Sequence, residues 1–255
     1  MTRTSPRLID LSVAIGRDVQ DPLPFSIRYE SHEEGVVIGA KLFGVEQEAF
    51  PEGKGLAGEF LELTTHAGTH VDAPWHYWPT TEGKPARTID ELPLDWFYSD
   101  GVVLDFTDKP PGYEISSKDV KEKLASIGYV LRPYDIVMIR TDCDKKLYDP
   151  DYAQSHPGVS AEATLWLIDQ GIKVMGIDAW GWDIPLKYQA EDYKRNPRDG
   201  VLWAAHFAGK EKEYCQIEKL ANLDRLPPTG FKVSVFPVKI HRASAGWARA
   251  VAIMD

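Results

Sequence analysis

Apolar positions along the chain fall in short runs separated by polar and turn residues. The runs at 60–65, 101–106, 134–140, 172–177, 232–236 and 248–253 are rich in β-branched residues and bounded by Gly, Pro and Asp, so each predicts a buried or half-buried strand. Two stretches have helical spacing instead. In the first, Ser116 precedes Asp119 in a capping-box pattern, Val120, Leu124 and Ile127 share one face, and Gly128 stops it. In the second, Ser160 is the N-cap, Ala163, Leu165, Trp166, Leu167 and Ile168 supply the apolar positions, and Gly171 ends it. A weaker helical pattern covers 201–209. Strand 134–140, helix 161–169 and strand 172–177 read as one βαβ unit, which predicts an α/β fold. Segments 13–55, 74–95, 141–158 and 178–200 read as irregular, with 188–199 a solvated loop. Loops of that length usually wall or cover a site, and 141–158 and 178–200 are the candidate lids.

Composition narrows the class. The 255 residues are 43% hydrophobic and 27% charged, the balance of an ordinary globular chain, and one domain spanning 1–255 is expected. Lys and Arg number 29 against 39 Asp and Glu, a net charge of −10. That excludes the basic face needed for nucleic acid or an anionic membrane. Two cysteines exclude a disulfide scaffold and suit a reducing compartment. No apolar run is long enough to span a bilayer, and the first residues lack the apolar stretch of a signal peptide, so a cytoplasmic protein is expected.

The chemistry concentrates in one stretch, His66-Ala-Gly-Thr-His70-Val-Asp72-Ala-Pro-Trp-His76. Gly68, the β-branched Thr69 and Val71, and Pro74 oppose a helix, so the stretch reads as a strand end turning into an ordered loop. Gly68 lets the backbone bend so that imidazoles converge. Two neutral imidazoles and a carboxylate suit a divalent ion such as Zn²⁺ or Mn²⁺. Asp72, with two oxygens, is able to bridge two ions. Thr64, Thr65 and Thr69 are the nearby candidates to orient the ligand histidines.

The same stretch, His66-x-Gly-Thr-His70-x-Asp72-x-Pro-x-His76, resembles the signature of the metal-dependent cyclase family, which includes bacterial kynurenine formamidase, isatin hydrolase and related lactone or amide hydrolases. Leu8-Ile-Asp-Leu-Ser12 resembles the family's N-terminal strand. His206 with Glu218, in Ile217-Glu-Lys-Leu-Ala-Asn-Leu223, resembles its downstream His and Glu-x-Leu-x-Asn-Leu element. Pro237-Val-Lys239 and Ala243-Ser-Ala-Gly-Trp-Ala-Arg249 resemble its C-terminal strand pair. The resemblance implies a swivelling β/β/α fold with a mixed, barrel-like sheet and flanking helices, assembled as a homodimer or homotetramer. It implies that His66, His70 and Asp72 bind a first ion, that Asp72 bridges to a second held by His206 and Glu218, and that His76 is the acid/base histidine. The chain departs from the formamidases at Asp21-Pro-Leu-Pro-Phe25, where they carry a Trp-Pro-Gly-Asp-like stretch, in extra residues at 26–58, and at Asp178-Ala-Trp-Gly-Trp-Asp-Ile-Pro185.

These residues together support hydrolysis of an amide, formamide or lactam of a small aromatic or cyclic substrate by ion-activated water, with His76 moving the proton. A dienelactone-type lactone hydrolase and a metal-dependent cyclase or lyase are the alternatives that use the same apparatus. Trp75, Tyr77, Trp78, Trp180 and Trp182 are the candidate aromatic walls, with Phe25 and Phe43 added from the N-terminal side, and Trp180 and Trp182 read equally well as core. Ser244 is a candidate hydrogen-bond partner of substrate or water. Cys143 and Cys215 read as buried inert thiols and His156 as a loop residue. His32 reads as surface. His241, between Lys239 and Arg242, either binds a substrate carboxylate or sits on an exposed strand edge.

Overall fold

Five of the six predicted runs become strands of a nine-stranded mixed sheet. The computed structural model of the protein describes residues 6–254 apart from 17, 18, 20 and 24. In chain order its principal strands are β1 (Arg7–Asp10), β2 (Ser26–Glu30), β3 (Gly58–Glu62), β4 (His70–Asp72), β5 (Tyr98–Asp105), β6 (Ile136–Arg140), β7 (Val174–Ile177), β8 (Cys215–Glu218), β9 (Phe231–Ser234), β10 (Ala245–Trp247) and β11 (Val251–Met254). The helices are α1 (His32–Phe43), α2 (Pro74–Tyr77), α3 (Ser117–Ser126), α4 (Ala161–Asp169) and α5 (Leu186–Arg195). Two compact units result. One holds the residues to Ile15, Val19–Pro22 and everything from Thr65 onward; the other is chiefly Leu23–Thr64.

In the larger unit the strand order is β1-β11-β9-β5-β6-β7-β8-β4-β10. Strands β5 to β8 are parallel and the flanking strands antiparallel. Isolated bridges join Ser12 to Leu220 and Pro237 to Ala248, and the sheet curls into a half-barrel. The central strands are apolar on both faces. Val102, Leu104, Val137, Ile139, Met175 and Ile177 enter the core shared with Val120 and Leu124 of α3 and Ala163 and Leu167 of α4. Their alternates Val103, Ile136, Met138 and Val174 enter a second core with Val71, Ile217 and Phe231. Continuous apolar runs are what parallel strands covered on both sides require. The expected βαβ unit is present as β6, α4 and β7, with β6 and β7 in parallel register.

The expected caps form. Ser116 Oγ accepts from Asp119 N at 3.2 Å while the Asp119 carboxylate accepts from Ser116 N at 2.9 Å. Ser160 Oγ accepts from Ala163 N at 3.0 Å. Segments read as irregular contain three α-helices, α1, α2 and α5. Helix α5 replaces most of the predicted solvated loop; its one buried residue is the polar Gln189, which donates to Ile184 O at 2.6 Å and accepts from Trp203 N at 2.7 Å. The pattern at 201–209 yields turns and a 3₁₀ segment, His206–Lys210, rather than an α-helix.

In the second unit the run at 60–65 contributes only to β3, which pairs antiparallel with β2 from Ser26–Glu62 to Glu30–Gly58. Helix α1 starts in a Ser31–Glu34 capping box and ends at Gly44 in the left-handed region. Gly35 and Gly39 mask it in sequence. A Cβ at Gly35 would lie 1.9 Å from Leu56 O, so only glycine lets those backbones touch. Leu42, Phe43 and Leu56 are 80%, 76% and 88% exposed. Among the described residues no helix is long and apolar enough to cross a membrane.

Candidate metal centre

The histidine-rich stretch is a turn, then β4, then α2, so the predicted bend is present and is followed by one short helix at Pro74–Tyr77. Gly68 sits at φ 60°, and a Cβ there would lie 2.6 Å from Ile15 Cγ1. Both the backbone angle and the close approach require glycine. Strand β4 lies between β8 and β10. His70 is directly opposite Glu218 on β8 and Trp247 on β10, and Asp72 is opposite Gln216 and Ala245. His70 and Asp72 are two apart on one strand and therefore share a face. Cross-strand pairing thus joins residues nearly 150 positions apart, and Tyr77 Oη, accepting from Gln216 N at 2.9 Å, fastens α2 to β8.

Five side chains converge. Asp72 Oδ1 lies 2.9 Å from His66 Nδ1 and 3.3 Å from His70 Nε2. Glu218 Oε2 lies 3.6 Å from His70 Nε2, and Glu218 Oε1 lies 3.4 Å from His206 Nε2. Asp72 Oδ2 lies 3.9 Å from His206 Nε2. Two atoms each about 2.0–2.2 Å from one ion are separated by about 3–4 Å, so these spacings match co-ligands. Hydrogen bonding tests the fit independently. Among the described residues His70 Nε2 and both Asp72 oxygens have no hydrogen-bond partner, although both residues are 0% exposed. Buried polar atoms without partners are costly. A divalent cation satisfies all three, and the donor set of imidazoles and carboxylates suits Zn²⁺ or Mn²⁺.

The charges agree. Burial opposes ionisation of Asp72, but His76, His66 and His70 hold it well below the usual carboxylate range. Glu218 is also lowered; burial opposes its charge and the contact with His206 outweighs that. Cation ligands must be deprotonated, and both carboxylates are.

Each candidate ligand imidazole has an outer partner, and the partners described are not the expected threonines. His66 Nε2 meets Ser244 Oγ at 3.1 Å, and His70 Nδ1 meets Gly68 O at 2.8 Å. His206 Nδ1 meets Asp183 Oδ2 at 2.5 Å. Thr69 instead accepts from Val13 N at 2.9 Å and donates to Lys219 O at 2.5 Å. Asp183 also accepts from the backbone of Ala205 and His206, at 2.8 and 3.2 Å. Trp182 N donates to Glu218 Oε1 at 3.0 Å. Sequence reading missed Asp183, and its only signal was a carboxylate in a Trp-rich loop after a strand.

His76, on α2, has 32% of its side chain exposed against 17% for His66, 11% for His206 and none for His70, so it is the cluster member most open to solvent. Its Nε2 is 4.0 Å from Asp72 Oδ2, and its ring centre is 4.1 Å from that of His66. Trp75 beside it is 45% exposed. Trp180 donates its indole N–H to Asp21 Oδ1 at 3.3 Å. Trp182 is core: fully buried, with its indole N–H on Thr164 Oγ1 at 2.9 Å. Phe25 and Phe43 belong to the second unit, where Phe43 meets Phe50 edge-on. Cys143 and Cys215 are buried, and burial pushes Cys143 up to about 12. His156 is fully buried, and burial pushes it down to about 4. His241 is 85% exposed and pairs with Asp90. A second acidic group, Asp142, Asp144 and Asp178, is occupied internally: Arg140 pairs with Asp142, and Thr141 and the Asp142 N–H bond Asp178.

Comparison with known proteins follows the same lines. The chain is 25% identical over 191 residues to a kynurenine formamidase of Erythrobacter litoralis, covering 75% of this chain and 74% of that one. It is 27% identical over 213 residues to an isatin hydrolase of Roseibium aggregatum, covering 80% and 77%. The solved isatin hydrolase A of Ralstonia solanacearum shares its fold, with a TM-score of 0.76 at 22% identity over 98% of this chain and 92% of that one. The sequence profile of the putative cyclase family matches residues 9–184, a span that contains the whole His66–His76 stretch. By that match over more than half its length, the chain belongs to the putative cyclase family.

Proposed function

We propose that the protein is a metal-dependent hydrolase of an amide, formamide or lactam in a small aromatic or cyclic substrate, working with one or two Mn²⁺ or Zn²⁺ ions. His66, His70 and Asp72 hold the first ion, and Asp72, His206 and Glu218 the second. Such an ion acts as a Lewis acid toward the carbonyl and makes water a stronger acid. The rest falls to the chain. Asp183 fixes the His206 ring so that Nε2 faces the carboxylates. His76 is the proton carrier, and the observation that carries this reading is its position: an imidazole beside the ligands yet open to solvent. Burial, with the neighbouring imidazoles, pushes His76 down to about 4, so its imidazole is uncharged at neutral pH and able to take a proton. It takes the proton of the attacking water and returns it to the leaving nitrogen. Trp75, adjacent to His76 in the chain and half-exposed, is one substrate wall, and Trp180, whose indole donates to Asp21, is a second. The Ser244 hydroxyl meets His66 Nε2 and helps to hold that ring.

The kinship with a kynurenine formamidase and an isatin hydrolase supports the bond class. The protein works in the cytoplasm, which the two unbridged, buried cysteines support. It is a homodimer or homotetramer, supported by the large apolar side chains exposed on the second unit. The test is turnover of N-formylkynurenine, isatin and a lactone panel by protein loaded with Mn²⁺ or Zn²⁺, read by mass. A gain of one water on an amide supports the reading. Turnover of lactones alone, or a product without added water, overturns it.

A further inference from the structure

Lys219 follows the candidate ligand Glu218 in the chain, yet its side chain turns inward. It pairs with Asp21, and the two side chains are 3% and 5% exposed. Among the described lysine and arginine ion pairs, no other has both partners so deeply buried. Such a pair is weak evidence for stability, because removing two charges from water costs about what their attraction returns. Its worth lies in what it places.

The placement is specific. Besides Asp21, the Lys219 ammonium donates to the backbone carbonyl of His66 at 3.0 Å. Lys219 O accepts from Thr69 Oγ1 at 2.5 Å, and Lys219 N donates to Ala179 O at 2.9 Å. Its φ is 57°, a left-handed backbone that a side chain rarely adopts and that persists only where surroundings over-determine it. Asp21 also accepts from the Trp180 indole, whose ring centre lies 5.9 Å from the ammonium. One buried charge thus grips the carbonyl of the first candidate ligand, in the residue next to the last one. Its counter-ion comes from Asp21-Pro-Leu-Pro-Phe25, where this chain departs from the formamidase pattern.

We propose that Lys219, paired with Asp21, is a positioning residue for the metal centre. It fixes the backbone of His66 so that Nδ1 meets Asp72, and its removal is read as lost ion affinity rather than lost folding. The proposal rests on the reading of His66, His70, Asp72, His206 and Glu218 as ion ligands. If the pair merely pinned residues 19–22 to the sheet, its loss would change stability and leave affinity alone.

The experiment titrates Mn²⁺ into the ion-free, full-length protein by calorimetry and measures Tm without ion. Lys219→Met alone strands a buried carboxylate and is expected to unfold readily. The informative variant is the double replacement Asp21→Leu with Lys219→Met, which removes both charges and keeps apolar volume. It is expected to keep a Tm near wild type while its Mn²⁺ Kd rises about 10–100-fold, the range typical of losing an outer-shell support. If the double variant does not fold, Asp21→Glu, which keeps both charges and moves the carboxylate by one methylene, carries the test, with a Kd about threefold or more above wild type expected. A wild-type Kd in the variant that folds overturns the positioning role and leaves the hydrolase reading intact. Failure of the wild-type protein to bind Mn²⁺ overturns both.

Discussion

His76 lies beside the candidate ligands and Asp183 holds one of them, His206, so replacing each should separate chemistry from ion binding. His76→Ala removes the proposed proton carrier, which the proposal leaves outside the ligand set, so metal content should stay at the wild-type level while kcat falls about 10²–10⁴-fold. Metal analysis beside steady-state rates checks this; lost metal or an unchanged kcat refutes the role. Asp183→Asn should do the reverse, weakening ion binding about 10–100-fold, because the amide no longer holds His206 Nδ1 as a carboxylate does. His206 adds a pH dependence. Burial works against its charge, but the hydrogen bonds to Asp183 and Glu218 raise it well above the usual histidine range. Without an ion it is therefore protonated at neutral pH. An ion taking Nε2 must displace that proton, so affinity should rise as pH rises, with about one proton released per site. Calorimetry in buffers of different ionisation enthalpy counts the protons; a count of zero removes His206 from the ligand set. The candidate ligands in 66–76 could be picked out because they are close in sequence and share few bland explanations. Asp183 was not, because what makes it matter is contact with a histidine in another loop.

At the scale of elements, the site depends on register. His70 faces Glu218 across β4 and β8, and a slip of one residue would turn His70 and Asp72 to the other face. Gly158 guards a second placement. A Cβ there would lie 2.1 Å from Ile184 N and 2.2 Å from Asp183 C, both backbone atoms that cannot swing aside. Gly158→Ala should therefore cost about 1–3 kcal/mol of stability and also weaken ion binding, since Asp183 must move. Urea unfolding and ion titration check the two effects; a variant as stable and as tight as wild type contradicts the packing. Elements with continuous apolar runs or capping boxes, β5 to β7 and α3 and α4, were readable from pattern alone. Strands β4, β8 and β10 were not, being three or four residues long and built partly from the chemistry they present. Helix α5 hid because its buried residue is a glutamine that satisfies backbone atoms rather than an apolar side chain.

At the scale of the whole molecule, the α/β class followed from the βαβ unit, while the curl of the sheet depends on bridges between residues far apart, such as Ser12 and Leu220, which no local pattern marks. The second unit presents Leu42, Phe43 and Leu56 largely to solvent, a surface that association would cover. Light scattering should give a mass of two or four chains of 28.7 kDa, and Leu42→Asp with Phe43→Asp should shift it downward. A wild-type mass of one chain contradicts the proposed assembly.

The central claim is that one group of side chains holds a divalent cation, and anomalous diffraction from crystals grown with Mn²⁺ tests it most directly. The account predicts a peak about 2.0–2.3 Å from His66 Nδ1, His70 Nε2 and Asp72 Oδ1, with any second peak between His206 Nε2 and Glu218. A map from well-ordered crystals with no manganese among these side chains would contradict it.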